Sequence, residues 1–207
     1  MDTSSSTKAT QPDKPTLTDL LRTNTRWFID PIVTFLARFH LSPDALTIAG
    51  MLSHFLFAWL IATGQLRWAG IAIFFIAPLD ALDGALARKL GRKQGGFGAF
   101  LDSTLDRLAE IVLFAGFLLY FARQDNDWLV LATYVALTGS IMVSYIRARA
   151  ESLGLSCKVG LFSRVERYGV IVLALLLNLP AYGILILAVG SYFTTVQRIY
   201  HVWRQYR

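Results

Sequence analysis

Repeated apolar stretches of about 20 residues restrict this chain to a fold whose helices satisfy their own backbone groups away from water. The stretches start near Ala45 and recur to the C-terminus, at roughly 43–63, 67–90, 98–122, 127–150, 165–179 and 181–203. Turn signals separate several of them, at Gly64-Gln65, Gln124 to Asp127 and Asn178 to Tyr182. The chain has 207 residues, 55% of them hydrophobic, and a mean hydropathy of +0.48. That is too apolar for an ordinary soluble domain. The expected fold is all-α: a polytopic membrane protein with six transmembrane helices, preceded by an N-terminal amphipathic interfacial helix.

Three segments follow from the pattern. Residues 1–15 are rich in Ser, Thr, Lys and Pro and are expected to be a disordered tail. They show no cleavable signal peptide. Residues 16–40 mix Leu17, Leu20, Leu21, Trp27, Phe28 and Ile32 with Arg22, Arg26, Asp30 and Arg38. This reads as a juxtamembrane amphipathic segment on the bilayer surface, broken at Pro31. Residues 41–207 form the six-helix domain, opening with Ser42 as helix cap and Pro43 in the first turn. Pro78 falls inside the second span, one turn before a cluster of acids. Cys157 is the single cysteine, so no intrachain disulfide is possible.

The net charge of +6 is unevenly distributed. Basic residues gather before the first span, at Arg88 to Lys93, at Arg147 to Arg167 and at the C-terminus. Of the 20 Lys and Arg, only Arg67, Arg107 and Arg123 fall elsewhere. The bias puts both termini in the cytoplasm of a multi-pass plasma-membrane protein. It also explains the positive charge without nucleic acid as a partner, since no basic-aromatic patch accompanies it. No internal repeat is visible, which disfavours an inverted-repeat transporter.

Four acids sit where the pattern is otherwise apolar. Asp80, Asp83, Gly84, Ala87 and Arg88 stand at i, i+3, i+4, i+7 and i+8, one stripe of a helix. Asp102 and Asp106 stand at i and i+4 and share a face of the next span. The two spans run antiparallel, so all four acids occupy their cytoplasmic ends. An acid at the centre of a membrane helix costs about 2.5–3.5 kcal/mol on insertion scales. Clustered carboxylates also repel one another. Divalent cations resolve both problems, and oxygen donors without His or Cys suit Mg²⁺ or Mn²⁺. Two ions bridged by carboxylates are a recurrent device of phosphoryl chemistry. Arg88 suits a phosphate oxygen, while Gly84 and Ala87 leave room for a flat nucleotide. Taken singly, each acid also fits an interfacial residue paired with Arg88, Lys89, Arg92 or Arg107. Glu110 continues the Asp102/Asp106 stripe, either orienting a ligand or pairing with a neighbouring helix. The Gly91 to Gly96 loop, basic and glycine-rich, suits a cover over phosphates. His40, His54 and His201 show no metal-ligand spacing and read as interface or packing residues.

The run Asp80-x2-Asp83-Gly84-x2-Ala87-Arg88-x9-Gly98-x3-Asp102-x3-Asp106 resembles the signature of the CDP-alcohol phosphotransferase family. The family commonly has eight residues before the second glycine, where this chain has nine. The resemblance implies that Asp80, Asp83, Asp102 and Asp106 bind two metal ions. It implies that Gly84 and Arg88, within a frame that includes Ala87 and Gly98, contact the CDP part of a CDP-lipid. Asp106 would also be the catalytic base. Asp44 to Thr47 resemble a second nucleotide-contacting segment, and Asp44 and Thr47 read equally well as helix-start residues. The implied reaction has Asp106 deprotonate an acceptor hydroxyl, whose oxygen attacks the β-phosphorus with loss of CMP.

Ser144, Arg147 and Arg149 end the fourth span, and Lys158, Arg164 and Arg167 flank the fifth. Positive-inside topology accounts for them, and so does a pocket for a phosphorylated alcohol. Within the family, Ser144 to Glu151 followed by Arg164-x2-Arg167 is similar to the phosphatidylinositol-phosphate synthases. Those often carry Lys where this chain has Arg147. The similarity implies Ser144, Arg147, Arg149, Arg164 and Arg167 as acceptor contacts, with CDP-diacylglycerol or an ether-lipid analogue as donor. It implies inositol phosphate as acceptor, and a homodimer. Glycerol 3-phosphate, as in phosphatidylglycerol-phosphate synthases, is the alternative acceptor. A cation transporter using intramembrane carboxylates is the alternative from another class.

Overall fold

The computed structural model describes residues 31, 33–35, 38, 42–77, 80–91 and 96–207, apart from the side chains of Asp80, Ala81 and Asp83. Seven helices are formed by the described residues: α1 Pro43–Ala62, α2 Leu66–Ile76, α3 Asp80–Lys89, α4 Phe97–Ala122, α5 Asp127–Ser152, α6 Arg164–Leu176 and α7 Pro180–Gln205. No strand occurs among them. The expected tail, most of the juxtamembrane segment and loop residues 92–95 lie outside the described residues. Within 16–40, Pro31, Val33, Thr34, Phe35 and Arg38 are helical, and the residues before Pro31, on which the expected break depends, lie outside the described residues.

Local chemistry sets the helix ends. Proline suits the first turn of α1 and of α7, where no N–H is needed. Ser42 is extended at the start of α1, but its hydroxyl makes no capping bond. Asn126 does cap α5, accepting from the Leu129 N–H at 3.1 Å. The expected turns contain residues with positive φ, namely Gly64, Asp125 and Asn178.

The second span differs from expectation. In place of one helix over 67–90 there are two, α2 and α3. Helical bonding continues as far as the Ala77 N–H, which donates to the Ile73 carbonyl. Proline at 78 has no N–H to offer the Phe74 carbonyl, and a helical interior cannot absorb that loss cheaply. The acids Asp80 and Asp83 therefore start a helix of their own.

Packing follows the apolar faces. α1 lies along α4 and α5 along α7, with α4 against α5, α2 against α6 and α6 against α7. α1 and α4 come close at Gly116, where an added Cβ would stand 2.6 Å from the Ala58 Cα and 2.7 Å from its carbonyl oxygen. The main core takes Phe57, Leu60 and Ile61 from α1, Leu113, Phe114, Phe117 and Phe121 from α4, and partners from the other long helices. On α4 it occupies the C-terminal half, while the N-terminal half carries Asp102, Asp106 and Arg107. A second cluster of Val33, Leu82 and Leu86, with Leu46 and Ala85 against it, fixes α3 to the start of α1. Lys89 reinforces it by donating from its amine to the Thr34 hydroxyl.

α1 and α5 are each long and apolar enough to cross a bilayer. Large apolar side chains also point outward, among them Phe55, Phe75, Leu173 and Val189. Soluble monomers rarely expose so much contiguous apolar surface.

Candidate active site

The start of α1, the helix α3 and the N-terminal half of α4 bring most of the signature residues into one region, since α1 packs on both of the others. Asp44, in the first turn of α1, has Oδ1 only 3.4 Å from where a Cβ would sit on Gly98. Glycine at 98 thus lets the carboxylate come close to the α4 backbone. Thr47, Met51 and His54 of α1 face Leu105, Asp106 and Ala109 of α4 across a narrow crevice. Thr47 serves its helix as well, its hydroxyl donating to the Pro43 carbonyl at 3.1 Å. On α3, a Cβ on Gly84 would lie 3.5 Å from the Arg88 guanidinium, which therefore covers the glycine one turn back. Ala87 is half-buried and Arg88 exposed. The side chains of Asp80 and Asp83 lie outside the described residues, although both residues belong to α3.

Asp106 is the best-defined acid. Its side chain is 18% exposed, and Arg164 ion-pairs with its Oδ2, joining α6 to α4. Arg107 stands 3.7 Å from the same oxygen while donating to the Ser103 carbonyl. Arg107 is one of the partners weighed for the acids from sequence, whereas the sequence assigns Arg164 to the acceptor. Arg164 also lies over the Tyr168 ring, 5.5 Å from its centroid. The Tyr168 hydroxyl and the His54 Nε2 are 2.8 Å apart, and His54 Nδ1 is 2.8 Å from the Gly50 carbonyl.

Glu110, one turn beyond Asp106, is the pairing residue of this region. Its Oε1 accepts from the Ser140 hydroxyl at 2.5 Å and from Arg167 Nε at 3.1 Å, with a second Arg167 nitrogen at 3.0 Å. Arg167 is 2% exposed and also donates to the Phe162 carbonyl. Its guanidinium is thus committed to Glu110 and Phe162, where an acceptor contact was expected. Arg147 pairs with Glu151 at 2.8 Å on the exposed end of α5, with Ser144 half-buried and Arg149 exposed nearby in sequence.

Two groups here escaped the sequence reading. Arg198, 3% exposed, donates to the Val143 and Val159 carbonyls and ties α7 to α5 and to the loop before α6. His54 is a packing residue as expected, but it also borders Asp106. Its spacing from Thr47 and Met51, i+7 and i+3, was the available signal.

The donor set bears on what the acids can hold. Among the described residues no three His, Cys, Asp or Glu side chains converge tightly enough to bind a metal ion by themselves. The imidazole nearest Asp106 has both nitrogens engaged, by Gly50 and Tyr168. Carboxylate oxygens are what remain, from Asp102 and Asp106 on α4 with Asp80 and Asp83 on α3, and these fit a hard divalent cation.

Comparison with known proteins agrees with this geometry. The family model described as CDP-alcohol phosphatidyltransferase matches residues 40–197. The chain belongs to the CDP-alcohol phosphatidyltransferase family and is an enzyme of phospholipid biosynthesis, a transferase of substituted phosphate groups. It is 38% identical to the phosphatidylinositol phosphate synthase of Mycobacteroides abscessus over 185 residues, covering 84% of this chain and 82% of that one. It is 37% identical over 189 residues to the archaetidylinositol phosphate synthase of Methanothermobacter thermautotrophicus, covering 87% and 91%. Among solved structures it resembles the Mycobacterium tuberculosis phosphatidylinositol phosphate synthase with CDP-DAG bound, with a TM-score of 0.78 and 35% identity over 84% of this chain and 93% of that one. The same M. tuberculosis protein has also been solved in complex with manganese and citrate. The family uses divalent metal ions and works in membranes. Membership sets aside the transporter alternative.

Proposed function

We propose that this enzyme transfers the phosphatidyl group of CDP-diacylglycerol to the hydroxyl of inositol phosphate, giving phosphatidylinositol phosphate and CMP. The observation that carries the reading is the Asp106–Arg164 ion pair. It joins the last acid of the signature to one of the arginines assigned to an anionic acceptor. The names of the relatives support the same chemistry. One of them is an archaetidylinositol phosphate synthase, which keeps an ether-lipid analogue as a second donor.

Asp80, Asp83, Asp102 and Asp106 would hold two Mg²⁺ ions, with Mn²⁺ able to replace them. Such ions supply charge neutralisation to a diphosphate and its departing CMP. Asp44, Thr47, Gly84, Ala87, Arg88 and Gly98 line the donor side, where the small residues admit the nucleotide. Ser144, Arg147, Arg149 and Arg164 meet the acceptor phosphate, while the buried Arg167 pairs with Glu110. Asp106 accepts the proton of the acceptor hydroxyl, and the freed oxygen attacks the β-phosphorus. Six crossings, with α2 and α3 sharing one, place both termini and the site at the cytoplasmic face of the plasma membrane. The enzyme acts as a homodimer.

An acceptor panel tests the assignment. Purified enzyme with CDP-diacylglycerol and Mg²⁺ is given inositol phosphate, glycerol 3-phosphate, inositol or serine, and CMP is measured. Release with inositol phosphate alone is expected. Preference for glycerol 3-phosphate would reassign the enzyme to phosphatidylglycerol phosphate synthesis.

A further inference from the structure

The first two turns of α6 make three separate attachments. Arg164 meets Asp106, Arg167 meets Glu110, and Tyr168 meets His54. The first two reach one face of α4, because Asp106 and Glu110 are one turn apart. The third reaches α1, on the opposite wall of the crevice. Tyr168 is thereby engaged twice. Its ring lies under the Arg164 guanidinium, and its hydroxyl is held by an imidazole whose other nitrogen is anchored to the Gly50 carbonyl. His54 is 1% exposed, so this anchor is built into the core and is not a surface contact.

We propose that Tyr168 and His54 are positioning residues that hold the Arg164 guanidinium against Asp106. The proposal rests on the reading of Asp106 as a metal ligand. A guanidinium competes with a cation for the same carboxylate, so the strength of this hold tunes how tightly the acids grip their ions. It also keeps a positive charge at the junction of donor and acceptor sides, where the acceptor phosphate arrives. An aromatic face stabilises a guanidinium and narrows its orientations. The hydroxyl–imidazole bond does the same for the ring.

Binding of Mn²⁺ to the substrate-free protein, by isothermal titration, is the primary test. Arg164→Ala should tighten Mn²⁺ binding by about threefold, the scale of a partly exposed ion pair. Tyr168→Leu should tighten it in the same direction, and the double variant should bind no more tightly than Arg164→Ala alone. With inositol phosphate as acceptor, both single variants should raise its KM by about tenfold with a smaller change in kcat. Simple loss of packing would weaken Mn²⁺ binding, so the direction of the shift separates positioning from scaffolding. Weakened or unaltered Mn²⁺ binding in Tyr168→Leu, or an unaltered value in Arg164→Ala, would overturn the proposal. If Tyr168→Leu does not fold, Tyr168→Phe takes its place. It keeps the ring, loses only the hydroxyl held by His54, and should give a smaller shift of the same sign. Asp106→Asn is titrated alongside. Unchanged Mn²⁺ binding there would remove the metal-ligand reading itself, a failure distinct from that of Tyr168 and His54.

Discussion

Asp106 and Glu110 show how two acids a single turn apart take different work. Asp106 retains some exposure beside two arginines, whereas Glu110 is buried with its charge matched by Arg167. Asp106→Asn keeps the shape but cannot accept a proton, and turnover should fall at least a hundredfold, in line with the loss of a general base. Retention of more than about a tenth of wild-type CMP release would remove Asp106 as the base, since general-base losses exceed that. Glu110→Ala strands a buried guanidinium and should destabilise the fold by about 3–5 kcal/mol, read as a lower Tm in detergent. A loss under about 1 kcal/mol would mean that Arg167 finds another partner. Cys157 gives a third test at this scale. Its thiol is fully buried in the loop before α6, and burial pushes its pKa up, with Arg198 and Arg147 opposing more weakly. Iodoacetamide at mildly alkaline pH should therefore label it only after unfolding. Rapid labelling of the folded enzyme would show that the loop opens.

At the scale of the element, spacing along one helix was readable and contact between helices was not. Asp102 and Asp106 share a face because helices repeat every 3.6 residues, and a spacing of four needs no tertiary knowledge. The Arg164–Asp106 pair joins residues on different helices, and the sequence holds nothing that registers α6 against α4. The same limit hid the Glu110 partners Ser140 and Arg167. Pro78 was visible, but whether it bends a helix or divides one depends on neighbours that accept the loss. Helix contact also predicts how glycines behave. Gly116→Ala must force α1 off α4 at Ala58 and should cost about 1–3 kcal/mol by thermal unfolding. Gly169→Ala meets nothing within 4 Å on α6, and should be neutral or stabilising by about 0.5–1 kcal/mol. Equal effects of the two would mean that the α1–α4 contact is slack.

For the whole molecule, the one-sided distribution of Lys and Arg and the proposed six crossings make one topological prediction. Reporter fusions after Arg207 should read as cytoplasmic, and fusions within the Gln124–Asn126 turn should read as external. A cytoplasmic signal from that turn would overturn the proposed arrangement. The same architecture puts the apolar core at one end of the long helices and the acids at the other, with α1 and α4 running the full distance between. A close approach of these two helices is the Gly116–Ala58 contact, set among the core residues of their C-terminal halves. One methyl group at position 116 acts as a spacer inside the apolar core, and CMP release by Gly116→Ala compared with wild type reads whether that spacing is felt at the Thr47–Asp106 crevice, whose lining residues are left as they are.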